Sequence, residues 1–315
     1  MPVPVTAKIF VAGSGGMAGS AIVRLLRIER FSNLVTRSSK ELDLRDPAAV
    51  DAFFAAEKPE YVFLAAAKVG GIRANATYPA DFLLDNLRIQ NAVIESARIH
   101  GVKKLLFLGS SCIYPRDAEQ PIRPSALLTG PLEKTNEAYA IAKIAGIKLC
   151  QAAREQHGFD AISVMPTNLY GPGDNYHLEN AHVLPALVRR FAEARESRAS
   201  SVSVWGTGTA RRDFLHVDDL AEACLLLMDV YSGAEPVNVG GRTDVTIAEL
   251  VEIVRGSVGY TGDVSFDASK PDGTPRKLMD TSVVRSLGWS ERVPLREGVN
   301  GVVADFRWGG ARRET

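Results

Sequence analysis

A chain of 315 residues is long enough for one large domain or two modest ones with a sizeable core. Its 37 Lys and Arg balance 37 Asp and Glu, so no charge excess points to nucleic acid or an anionic membrane, and 46% hydrophobic residues argue against disorder. No apolar run approaches the ~20 residues of a membrane helix, and the N-terminus enters a strand-like stretch without a secretory-signal pattern.

In chain order, residues 8–12 form a short apolar run that ends in glycines. Ala18, Ile22, Leu25 and Leu26 then recur at helical spacing over 17–30. Residues 33–37 read as a second strand. Asp46 followed by Pro47 is an N-cap with proline at the first helical position, opening a helix over 48–57. Residues 61–67 are continuously apolar, as a strand buried on both faces should be. Leu83, Leu87, Ile94 and Ala97 lie on one stripe of a long helix that ends near His100, with Gly101 as its stop. A buried strand over 104–108, a helix over 137–157 closed by Gly158, and a strand over 161–165 follow. This alternation specifies parallel strands joined by crossover helices, an α/β fold with a doubly wound parallel (Rossmann) sheet. Residues 1–170 are assigned to it, with later segments returning. Beyond Pro166 the pattern loosens: Thr246-Ile-Ala-Glu249 is a capping box before residues 250–255, and 270–275 form a turn-rich loop. Residues 171–315 are expected to build mainly a smaller α/β lobe that closes over a substrate.

Gly13-Ser14-Gly15-Gly16-Met17-Ala18-Gly19 marks the turn from the first strand into the first helix. Gly13 permits a tight turn, Gly16 lets the backbone approach a pyrophosphate, and Gly19 lets helix and strand pack closely. The helix N-terminus adds unpaired N–H groups and a partial positive charge. The second strand should end beside the adenosine ribose. An acid there would select NAD, but the chain reads Thr36-Arg37-Ser38-Ser39-Lys40, and Arg37, Ser39 or Lys40 would welcome a 2′-phosphate. NADP(H) is the expected cofactor.

Tyr139 and Lys143 lie four apart on a helix and so share a face. Carbonyl reduction needs a proton donor beside the oxygen that receives the hydride's electrons. A tyrosine near pKa ~10 exchanges protons poorly at neutral pH, and a nearby ammonium is expected to lower that value. The pair alone is a weak signal. After a glycine-rich turn and a Ser110-Ser111 pair following the fourth strand it becomes strong. The cysteines Cys112, Cys150 and Cys224 are widely spaced with no CxxC pair, so neither a disulfide scaffold nor a metal site is expected, and a cytoplasmic setting is the default. Cys150 and Cys224 fall in helical apolar patterns and read as structural. Cys112 stands two residues after Ser110 at the carboxyl end of a strand, where ligands bind. His216 reads as a loop residue before an N-cap at Asp218.

These features resemble the extended short-chain dehydrogenase/reductase family, and within it the GDP-L-fucose synthases. The matching stretches span 64–72, 108–115, 136–143, 165–172, 212–219 and 266–273. The resemblance implies epimerisation of GDP-4-keto-6-deoxy-D-mannose at C3 and C5, then NADPH-dependent reduction of its C4 ketone to GDP-L-fucose. It implies that Ser110 and Tyr139 stabilise the enolate oxygen, that Cys112 and His182 exchange protons on opposite faces of the hexose, and that Lys143 holds the nicotinamide ribose. It places the cofactor also against Asp43, Leu44, Leu108, Gly109, Ser111, His182 and Pro166, Thr167, Asn168 and Leu169. It places the substrate against Arg190, Trp205, Arg212 and Asp272, and implies a homodimer through the helices over 81–100 and 137–157. The family often carries arginine in its glycine turn; here the turn reads Ser14-Gly15-Gly16, which bears on the preference for NADP over NAD. A 4,6-dehydratase would want an Asp-Glu pair where Cys112-Ile113 stands. A UDP-sugar 4-epimerase would need no cysteine, and a non-catalytic sensor of this fold would typically lose the Tyr/Lys pair.

Overall fold

Strands that are apolar on both faces must be covered on both faces, and the chain meets that requirement with a parallel sheet between two helical layers. The computed structural model describes residues 2–177, 180–270 and 272–308. Its strands are β1 (Ile9–Ala12), β2 (Leu34–Val35), β3 (Tyr61–Leu64), β4 (Lys104–Leu108), β5 (Ala161–Pro166), β6 (Asn168–Tyr170), β7 (Ser201–Trp205), β8 (Arg211–Arg212), β9 (Phe214–His216), β10 (Val237–Val239), β11 (Val245–Thr246), β12 (Asp263–Asp267) and β13 (Arg276–Lys277). Its helices are α1 (Met17–Ile28), α2 (Pro47–Glu57), α3 (Ile72–Thr77), α4 (Pro79–Ile99), α5 (Glu137–His157), α6 (Val183–Glu196), α7 (Val217–Val230), α8 (Ile247–Val258), α9 (Ser282–Ser286) and α10 (Leu295–Trp308).

The central sheet runs β10-β5-β4-β3-β1-β2, with every pair parallel. Alternation within the strands divides the core. Ile9, Val11, Phe63, Leu106 and Val164 face α1 and α7, whereas Phe10, Ala12, Val62, Leu105 and Phe107 face α2, α4 and α5. The chain winds from β1 outward to β2 and then in the opposite direction through β3, β4 and β5. The switch lies beside β1, where the carboxyl ends of strands open a crevice. A separate apolar core joins α6, α8 and α10 to β7 and carries Tyr170, Phe191, Val204, Val254 and Phe306. Three small sheets complete this region: β7 with β12, β8 between β11 and β13, and β6 with β9. α7, β10 and α9 pack on the large sheet.

The differences from expectation are local. The strand expected over 61–67 ends at Leu64 because Lys68 turns away onto Asn86. The Asn86 amide accepts from Lys68 N at 3.0 Å and donates to Lys68 O at 3.0 Å. The second strand keeps only two residues, and α3 forms where no helix was expected. The α7 N-cap is His216, not Asp218: the His216 Nδ1 accepts from the Asp218 backbone N–H at 3.3 Å. The Thr246–Glu249 capping box is present, and its helix runs on to Val258. Among the described residues no helix is long and apolar enough to cross a membrane.

Candidate active site

The glycine turn sits in the crevice at the sheet's switch point. Gly13 adopts φ +85°, and a Cβ there would lie 2.6 Å from the Ala66 amide nitrogen beyond β3. A Cβ on Gly19 would collide with the Gly13 carbonyl oxygen, so helix and turn can approach only without side chains. Gly16 is the N-cap of α1 and offers no side-chain cap, leaving the first turn open to an anion. Just past β2, Ser39 and Lys40 are exposed. Arg37 is engaged: it reaches Glu57 at 2.5 Å and lies 5.5 Å from the Phe53 ring centre. Asp43 holds Arg45 at 2.8 Å, which draws its carboxyl down to about 2, and Leu44 packs on the core beside them.

The end of β4 and the inner face of α5 meet to form the chemical centre. Gly109 admits Met165 against the strand end, and Ser110, in extended conformation, accepts from the Cys112 backbone N–H at 3.2 Å. Ser111 is buried at the start of the turn that carries Cys112. Tyr139 and Lys143 are 9% and 3% exposed on the α5 face that covers this turn. The Lys143 ammonium donates to the Leu108 carbonyl at 2.7 Å, with the Phe107 ring centre at 4.7 Å and that of Tyr139 at 6.0 Å. Burial pulls Lys143 down to about 7.

This corrects one expectation. Lys143 was expected to lower the Tyr139 pKa, but the phenol is held above its ordinary value. Burial is the main cause, a thiolate at Cys112 would add to it, and hydrogen bonding with Ser110 opposes it. The ammonium is committed to the Leu108 carbonyl, 6.0 Å from the Tyr139 ring centre, and burial weakens its own hold on the proton, so the charge it lends the phenol is reduced.

The Cys112 sulfur accepts from the Asn136 amide at 3.1 Å and stands 3.9 Å from the Lys277 ammonium. Neither partner was singled out from the sequence. Asn136 precedes Tyr139 by one turn, a spacing that could have marked it. Lys277 lies 165 positions from Cys112 in sequence and gives no local signal. Cys150 and Cys224 are buried apolar-core residues, and burial pushes Cys150 up to about 12.

His182 is the N-cap of α6. The residue is open to the cleft, yet the protein crowded around its ring disfavours the imidazolium and lowers its pKa. The loop joining β5 to β6 is anchored to β10 and to Asp213. Pro166 ends β5, the Thr167 N–H donates to Val239 O at 3.0 Å, and the Thr167 hydroxyl and Asn168 amide both donate to the Asp213 carbonyl, with Leu169 half-buried beyond. Asp213, also missed from sequence, is fully buried, and its Oδ1 accepts from Gly241 N at 2.9 Å.

The remaining cations form a linked band. Lys277 pairs in register with Arg212, whose guanidinium donates to the Asp272 carbonyl at 3.2 Å. The Asp272 carboxylate accepts from the Thr207 N–H and hydroxyl at 2.8 and 2.9 Å. Trp205 is 52% exposed two residues earlier, with Lys270 5.8 Å from its ring centre. Arg190 donates to the Ser203 carbonyl on the same strand at 2.7 Å. The arrangement therefore offers an anion-binding turn, a buried phenol beside a hydroxyl and a thiol, and a cationic band with one flat aromatic face.

The chain matches known proteins over most of its length. Residues 9–240 match the model of the "NAD dependent epimerase/dehydratase family". The chain is 64% identical over 295 residues to GDP-L-fucose synthase 1 of Arabidopsis thaliana, covering 94% of this chain and 91% of that one. It is 52% identical over 310 residues to the GDP-L-fucose synthase of Escherichia coli, covering 96% of each. Among solved structures it resembles the GDP-L-fucose synthetase of Naegleria fowleri bound to NADP, with a TM-score of 0.91 and 29% identity over 99% of this chain and 98% of that one.

Proposed function

The chain belongs to the NAD dependent epimerase/dehydratase family, and from that premise we propose that it converts GDP-4-keto-6-deoxy-D-mannose to GDP-L-fucose with NADPH. The observation that carries the reading is the junction of β4 and α5, where the Tyr139 phenol, the Ser110 hydroxyl and the Cys112 thiol are gathered around one partly open point. The relatives named above as GDP-L-fucose synthases, at 52% and 64% identity over nearly the whole chain, support it.

A C4 ketone acidifies the C–H bonds at C3 and C5, so each inversion passes through an enolate with charge on the C4 oxygen. Ser110 and Tyr139 donate to that oxygen, and their effect is largest where the charge is greatest. Cys112 and His182 serve as the base and acid on opposite faces of the ring. Asn136, the N-cap of the helix that carries Tyr139, and Lys277 hold the sulfur in place. Burial keeps Tyr139 protonated at neutral pH, which suits a group whose last task is to deliver a proton to the C4 oxygen. When bound, NADPH supplies the hydride that reaches C4.

The residues fit that cofactor. A side chain at Gly13 or Gly19 would collide with backbone, the space beside Gly15 is open, and α1 opens on the turn without a side-chain cap. Gly13–Gly19 take the pyrophosphate. Arg37, Ser39 and Lys40, with Asp43 and Leu44 beside them, frame the adenosine end. Leu108–Ser111 and Lys143 hold the nicotinamide ribose, and Pro166–Leu169 with His182 line the nicotinamide. Arg212 and Arg190 neutralise the GDP diphosphate, Trp205 presents its ring to the nucleotide, and Asp272 fixes the Arg212 arm. The same reading makes residues 1–170 the cofactor domain and 171–315 mainly the substrate lobe. It pairs two copies through α4 and α5, which expose Leu84, Ile99 and Ile141, and sets the enzyme in the cytoplasm with its three cysteines free.

The test is incubation of the protein with GDP-4-keto-6-deoxy-D-mannose and NADPH in heavy water. Deuterium at C3 and C5, together with loss of NADPH absorbance, is expected. Cofactor consumption with unlabelled carbons would reduce the protein to a plain reductase. Cys112→Ser should impair isotope exchange far more than hydride transfer; equal damage to both would assign the thiol to packing.

A further inference from the structure

The Lys68–Phe82 stretch contains a motif that the site has so far not used, Lys68-Val69-Gly70-Gly71-Ile72. It crosses the cleft between the two groups that must work on opposite faces of the hexose. At one end, Ala74 and Phe82 pack in a single cluster with Tyr139 and Cys112, and the Phe82 and Tyr139 rings meet edge-on with centres 6.4 Å apart. At the other end, the Gly71 N–H donates to the Asn180 carbonyl at 2.9 Å, two residues before His182. A Cβ on Gly71 would stand 2.5 Å from the Ala181 carbonyl oxygen, so this contact exists only because the residue is glycine.

The stretch between these ends is held rigid. The Asn75 amide, in a residue only 6% exposed, donates to the carbonyls of both Gly70 and Gly71, at 2.7 and 3.0 Å. Lys68 is tied at both backbone atoms to Asn86 of α4, and its ammonium lies 3.0 Å from Asp85 and 3.3 Å from Asp81. Asn86 in turn donates to the Phe82 carbonyl at 2.6 Å. One end thus abuts the thiol and phenol, the other abuts the backbone that carries the imidazole, and buried amides lock the span.

We propose that residues 68–82 form a bracket that sets the distance of His182 from Cys112 and Tyr139, with Gly71 and Asn75 as positioning residues for the epimerisation steps. The inference rests on the function proposed above. Displacing a reacting group by about 1 Å can cost on the order of 100-fold, and Gly71→Ala must move the 180–182 backbone outward. Hydride transfer at C4 draws its proton from Tyr139, which the bracket meets through Ala74 and Phe82 and not through Gly71, and needs no proton from Cys112 or His182. The two activities should therefore separate.

The assay runs the reaction backwards in heavy water, with enzyme in excess over GDP-L-fucose and with NADP⁺. Oxidation moves the C4 hydride to NADP⁺ and the C4 hydroxyl proton to the Tyr139 phenoxide, formed once the phenol has given its own proton to solvent, and is read as NADPH formed. The resulting ketone then exchanges its C3 and C5 hydrogens, read by mass spectrometry. For Gly71→Ala, exchange per ketone formed should fall roughly 10- to 100-fold, while the oxidation burst stays within severalfold of wild type. Asn75→Ala should shift the same ratio in the same direction. An unchanged ratio in both variants, or equal loss of both activities, overturns the bracket. Failure of both variants to fold also overturns it, since a part that only sets a distance leaves the sheet core intact. A wild-type protein that oxidises GDP-L-fucose but never exchanges carbon-bound hydrogen fails the functional reading itself; exchange in the wild type with no effect in the variants fails only the bracket.

Discussion

Replacing Asp213 by asparagine should stabilise the protein more at pH 8 than at pH 5, by an amount that the buried carboxyl itself dictates. Asp213 has no exposed surface, its Oδ1 takes the Gly241 N–H, and its Oδ2 has no hydrogen-bond partner among the described residues. Burial is the main reason its pKa is raised from 3.8 to about 7, with Glu291 and Asp244 adding to it. In the unfolded chain the group releases its proton near 3.8, whereas the folded protein keeps it to about 7. Stability therefore falls as pH rises through that window and falls no further above it. At about 1.4 kcal/mol per pH unit, the window is worth roughly 4 kcal/mol in all, and about 3 kcal/mol of it lies between pH 5 and pH 8. Asparagine carries no such proton, and any constant misfit of its amide cancels when the two pH values are compared. Urea unfolding of both proteins at each pH gives the difference directly. An effect of Asp213→Asn that is the same at pH 5 and pH 8 would mean that the carboxyl titrates as a solvated one does, and the assignment of a costly buried anion beneath the nicotinamide loop would fail.

Tyr139→Phe should lower kcat roughly 10²- to 10⁴-fold, the usual worth of a positioned proton donor, with NADPH binding measured by fluorescence within severalfold of wild type. Because burial raises the phenol, the pH profile of wild-type hydride transfer should show no limb from phenolate formation up to about 10. Lys104→Met tests the frame: the buried ammonium donates to the carbonyls of Leu227, Met228 and Tyr231 at the end of α7, at 3.1, 2.7 and 2.5 Å. Leaving those acceptors unpaired should cost about 1–3 kcal/mol in denaturant unfolding, and no loss of stability would show that water replaces the ammonium there.

What could be read without coordinates was everything written in neighbouring residues. Continuous apolar runs and helical stripes give a doubly wound sheet because their periods are local, and the glycine turn, the Asp46 and Thr246 caps and the Tyr139–Lys143 spacing are local too. The same logic failed where a distant partner intervened: Asn86 ends the third strand early, and the carbonyl of Leu108 captures the ammonium expected to tune Tyr139. A pattern of apolar residues says that a face is buried but not against what. Lys277 beside Cys112, Arg212 against Asp272, Asp213 under Thr167 and Gly71 against Ala181 join segments far apart in the chain. Those meetings follow from how the helices and strands pack on one another, so only the folded chain could decide them.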